Sequence, residues 1–107
     1  MEKTKVKMAF FIDNVRIRSE HGRRFPRVVT GVFVDDGEDF QKDCYAHVGQ
    51  HGTCDVRWIA EFCRPATYTE FKELYDELEN MVGYEVEVVD AEWWLAKAMD
   101  RINNMAA

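Results

Sequence analysis

The chain has 107 residues, 47% of them hydrophobic and 13% aromatic, with a formal charge of −6. One domain's length of chain with this much apolar material excludes wholesale disorder and two independent cores. No apolar run nears the ~20 residues of a membrane-spanning helix. The stretch Met8 to Ile12 is also shorter than the ~7–15-residue core of an export signal. The expected unit is a single domain, residues 1–107, in a cytoplasm.

Val6, Met8, Phe10 and Ile12 alternate with Lys5, Lys7, Ala9 and Phe11, a period of two that predicts a strand. The apolar phase slips by one at Asp13-Asn14, to Val15 and Ile17, which places a bulge or break there. Ser19 to Arg24, with Gly22, reads as a turn, and the β-branched run from Phe25 to Val34 as the returning strand. Asp35 to Asp39 is a second turn around Asp36-Gly37, and Phe40 to Val48 a weaker third strand. Gly49 to Thr53 reads as a loop.

Asp55 to Phe62 has Val56, Ile59 and Phe62 on one helical face, with Thr53 or Asp55 as the cap and Pro65 as the stop. Thr67-Tyr68-Thr69-Glu70 fits a capping box, followed by Phe71, Leu74, Tyr75, Leu78, Met81 and Val82 at helical spacing. Gly83 stands where a left-handed terminal residue is wanted. Tyr84, Val86 and Val88 then alternate as a strand, and Asp90 caps a last helix whose stripe is Trp94, Leu95, Ala98, Met99, Ile102 and Met105. The order β-β-β-α-α-β-α predicts an α+β two-layer domain. Its sheet would be mainly antiparallel, about four strands, with helices on one face and the fourth strand's direction open. Trp58 and Trp94 are expected in the core, and Trp93 partly exposed.

The charge divides along the chain. Residues 1–27 hold eight basic and three acidic groups, a balance of +5, and the other eighty residues hold six and seventeen, a balance of −11. Arg16, Arg18, Arg23, Arg24 and Arg27 gather near the first hairpin turn and are the candidate partner-binding residues. Arginine reads phosphate and carboxylate by paired hydrogen bonds. The acidic remainder repels nucleic acid over ~8 Å at physiological salt, so the division favours protein contact over nucleic acid. Solvated faces or pairing within the fold are the plain alternatives.

Cys44, His47, His51, Cys54 and Cys63 crowd one segment, in the pattern Cys-x2-His-x3-His-x2-Cys-x8-Cys. Three cysteines without an export signal argue against a disulfide framework. His47, His51, Cys54 and Cys63 form a chemically reasonable zinc set, since zinc favours thiolate and imidazole. Zinc is thus the one candidate cofactor. The paired spacing of a zinc finger is missing, and free cysteines commonly serve as small core residues. Cys54, just before a helix start, is also a candidate thiol nucleophile, with His51 or His47 as base and Asp55 orienting it.

Around Tyr45-Ala46-His47-Val48-Gly49-Gln50-His51, and from Arg64-Pro65-Ala66-Thr67 to Glu70, the chain resembles small uncharacterised proteins of bacteria, their mobile elements and their phages. The resemblance implies a bacterial or phage cytoplasm, and no activity or site. Small size, divided charge and the lack of a family catalytic motif point to a non-enzymatic accessory or interaction domain. It would act through a protein partner or self-association, with a zinc-binding domain and a small nucleic-acid binder as the alternatives.

Overall fold

The computed structural model describes residues 3–13, 28–35, 40–46 and 50–105. In chain order the elements are β1 (Thr4–Asp13), β2 (Val29–Phe33), β3 (Gln41–Ala46), β4 (Gln50–Asp55), α1 (Val56–Phe62), β5 (Cys63–Pro65), α2 (Tyr68–Glu77), β6 (Tyr84–Val88) and α3 (Ala91–Met105). A π-helical turn, Leu78–Val82, continues α2 to Gly83. The class is α+β, as expected, and the sheet is mostly antiparallel. Among the described residues it has six strands rather than four, because Gln50–Asp55 pairs as a strand and Cys63–Pro65 adds a short one.

The strands run in the order β4-β3-β2-β1. The far edge of β1 is shared. Its first half, Thr4 to Met8, pairs in parallel with β6, and its last residues, Phe11 to Asp13, pair antiparallel with β5. Between these two stretches the Met8 carbonyl accepts from Val89 N–H at 2.8 Å and the Phe10 carbonyl from Ala66 N–H at 3.0 Å. The handover between strands therefore leaves neither carbonyl unmatched.

The helices do not lie on one face, as the sequence suggested. Met8, Ala9, Phe10, Phe11 and Ile12 are all buried. A strand buried residue after residue needs cover on both sides. Met8 and Phe10 point at α2, joining Phe71, Leu74, Leu78, Tyr45 and Val86. Ala9 and Phe11 point the other way, at Ile59 of α1 and at Trp94, Ala98 and Ile102 of α3. The result is three layers, helix, sheet and helix.

Specific contacts fix each layer. The Phe10 and Phe71 rings stack at 4.4 Å. Gly31 lies opposite Phe10 in the β1–β2 register, and a Cβ there would come within 2.7 Å of Met8 Cε and 3.0 Å of Phe10 Cε1. At the start of α2, Glu70 N–H donates to Thr67 Oγ1 while Glu70 Oε1 accepts from Thr67 N–H at 2.9 Å, the expected capping box. Arg64 of β5 clamps the same carboxylate at 2.9 and 2.7 Å. Gly83 takes φ +89°, as its position required, and its N–H closes the π turn onto Leu78. Asp90 Oδ1 accepts from Trp93 N–H at the start of α3. No helix among the described residues is long and apolar enough to cross a membrane.

Candidate functional site

The outermost strand, β4, pairs among the described residues with β3 alone. Asp55 opposes Gln41, and one step beyond, Val56 N–H donates to the Phe40 carbonyl at 2.8 Å. In an antiparallel ladder, residues alternate between bonding the neighbour and facing away. Cys54 and Gly52 therefore exchange bonds with β3, and His51 and Thr53 direct their N–H and C=O groups outward. This edge carries no lysine, proline or bulge, the usual devices that block strand addition.

Its two faces differ. On one face Cys44 and Cys54 meet beneath α1, with Cys63 also on that side. Together with Val32, Ala46 and Trp58 they line an open groove of about 450 Å³. The Cys54 thiol donates to the Lys42 carbonyl at 3.6 Å and hydrogen-bonds Cys44. Burial, then the neighbouring Cys44, pushes the Cys54 thiol up to about 12. Burial and then Asp13 push Cys63 up to about 11, and burial also raises Cys44. Trp58, expected in the core, is 47% exposed at the rim of this groove, while Trp94 is buried. Trp93 is exposed, with Lys97 Nζ over its ring at 4.1 Å.

On the opposite face His51 lies edge-on to Tyr45 at 4.7 Å and parallel to Phe33 at 6.4 Å. Residues 51 and 54 are an odd number of steps apart on one strand, so their side chains leave opposite sides of the sheet. The set of His47, His51, Cys54 and Cys63 is therefore not brought together. Cys54 and Cys63 share a face, His51 is across the sheet, and His47 lies outside the described residues. No three His, Cys, Asp or Glu side chains among the described residues converge as metal ligands.

The same parity separates Cys54 from His51 as a base. Asp55, the proposed orienter, instead caps α1 through Arg57 N–H at 2.8 Å and grips the Arg57 guanidinium at 3.1 and 2.8 Å. That guanidinium holds the Asp55 carboxyl below its ordinary range. The start of α1 was expected to acidify Cys54, yet desolvation outweighs any pull from this seven-residue helix. Arg16, Arg18, Arg23, Arg24 and Arg27 lie outside the described residues.

Sequence reasoning missed the β4 edge, because Gly49 to Thr53 carries turn residues and no apolar alternation. The signal that was present is Tyr45: a buried ring on β3 needs a neighbour beside it, and His51 supplies one. Comparisons with protein-family models, curated proteins and solved structures find no match.

Proposed function

We propose that the protein is a small non-enzymatic interaction domain that adds a protein strand to the β4 edge. The observation that carries this reading is the run of outward N–H and C=O groups at His51 and Thr53, unpaired by backbone among the described residues, next to the apolar groove rimmed by Trp58. Main-chain bonds along an open edge supply affinity, and pockets for alternate side chains supply specificity. Cys54 and Cys63 serve here as apolar lining, with thiols kept protonated, in a bacterial or phage cytoplasm. Zinc has no role in this reading, and nucleic acid is not the partner.

Thr53→Pro tests it. The Thr53 N–H faces away from β3, so proline removes a docking donor and no internal bond. Co-purification from native lysate, with the wild-type protein beside the variant, is expected to lose its bound protein on this substitution. Retention of the same proteins by Thr53→Pro overturns the reading.

A further inference from the structure

We infer that the β4 edge takes an extended protein segment whose side chains run apolar, basic, apolar, with the basic residue opposite Thr53. The inference rests on the reading of β4 as a docking edge and names the chemistry of its occupant. Thr53 and Asp55 line two hollows at once, one on each face of the sheet. The first is the thiol groove. The second, of about 450 Å³, adds Gln41, Asp43 and Arg57. Side chains of a strand leave alternate faces. A strand added at this edge therefore sends every second residue towards each hollow, and the two hollows differ in what they accept.

The polar hollow sets a charge. Asp55 grips the Arg57 guanidinium at 3.1 and 2.8 Å, so those two charges cancel, and the guanidinium also lies over the Phe40 ring at 4.7 Å. Asp43 is exposed and stands opposite Thr53 in the β3–β4 register. Among the described residues it has no ion pair or hydrogen bond. Its carboxylate is the charge left over in this hollow. Two strand spacings, about 10 Å, separate Asp43 from a residue docked opposite Thr53. The long stem of arginine or lysine crosses that span over the short Thr53 side chain.

The groove sets neutrality. The residues flanking the basic one lie beside Gly52 and Cys54. The Cys54 thiol, pushed up to about 12 by burial, stays protonated and offers no charge to pair with. Gly52 carries no side chain, and the place of a Cβ there is 4.0 Å from Cys44 Sγ. A side chain beside Gly52 therefore reaches Cys44 unobstructed, with the exposed Trp58 ring at the rim of the same groove. Valine or leucine at these two positions covers apolar surface, whereas a charged residue loses water and gains no partner. The opposite phase, with the apolar residue at Thr53, forgoes both gains.

Amide NMR titration of the isotope-labelled full chain with acetylated, amidated peptides tests this. The probe is Thr-Thr-Val-Arg-Val-Thr-Thr. Its comparisons replace arginine by glutamine or glutamate, or move it one place, as Thr-Thr-Arg-Val-Val-Thr-Thr. The probe is expected to shift the His51 and Thr53 amide signals with a dissociation constant of about 1 mM or lower. Glutamine should weaken binding about threefold and glutamate about tenfold, the scale of an exposed charge pair lost or reversed. The displaced arginine should bind about threefold more weakly, because only one valine then faces the groove. Asp43→Asn should erase the preference for arginine over glutamine. Asp100→Asn, which removes the same charge from an exposed site on α3, should preserve it. No shift at His51 and Thr53 with any probe at about 2 mM, equal affinity for arginine and glutamate, or a preference that survives Asp43→Asn each overturns the inferred occupant. If Thr53→Pro still abolishes capture of a protein from lysate in those cases, the docking edge stands and only its occupant is wrong. Should Thr53→Pro fail to fold, the exposed Asp43→Asn carries the test.

Discussion

Strands β1 and β4 belong to one sheet and are held under opposite conditions. β1 is paired along both edges and covered on both faces, so its central residues are sealed from water. Among the described residues β4 is paired along one edge, and His51, Gly52 and Thr53 are exposed. In β1 the run Met8 to Ile12 contributes to stability through burial and packing. In β4 the bonds to β3 are structural, and the outward half of the backbone takes no strand partner among the described residues. The same chain thus separates the part that holds the fold from the part that can recognise something.

Substitutions that tell stability from association test this division. The largest expected effect is Phe10→Ala, which empties the stack on Phe71 and should cost about 3–5 kcal/mol in denaturant unfolding. A loss below about 1 kcal/mol would show that β1 is not the keystone of the α2 layer. Gly31→Ala comes next. Its methyl group would displace Met8 Cε and press on Phe10, for an expected loss of about 1–3 kcal/mol, smaller because the methionine end can turn aside.

The third test is acid unfolding. The hydrogen bonds from Arg64, then the Thr67 amide, hold the Glu70 carboxyl at about 2, against an ordinary 4.5. A folded-state pKa below the unfolded one gives stability that is complete above about 4.5 and lost as the pH falls towards about 2. The wild-type melting temperature should therefore fall through that window. Glu70→Gln should melt lower at pH 7 and converge with wild type near pH 2; parallel curves would remove Glu70 as the titrating group. The smallest effect is expected of Thr53→Pro on stability, within about 0.5 kcal/mol, although it removes association. A loss as large as that of Phe10→Ala would erase the contrast between the two strands.

Pattern made α2, β6 and α3 legible, because each buries one face and repeats its apolar residues with the matching period. Thr67, Glu70, Gly83 and Asp90 marked their ends through local chemistry, which needs no knowledge of the fold. The layering was harder to read. Ala9 and Phe11 looked like the minor face of a half-buried strand, and only the covering by α1 and α3 shows that both faces are core. β5 was hidden because three residues carry no period, and Pro65 read only as a stop. β4 was hidden because an edge strand need not be apolar, and with it went the face of every side chain from His51 to Asp55. A loop would have let His51 and Cys54 meet, whereas a strand forbids it.

The divided edge of β1 also sets a timetable. Thr4 pairs with Tyr84, so the first half of β1, Thr4 to Met8, keeps one edge open until the chain has been made through β6. At ~5–20 residues per second, Thr4 waits roughly 4–16 s for its partner. During that interval the flank from Thr4 to Met8 is the part of β1 still open to other pairing. Release of a nascent chain before Tyr84 would leave that flank without its strand, guarded only by Lys5 and Lys7.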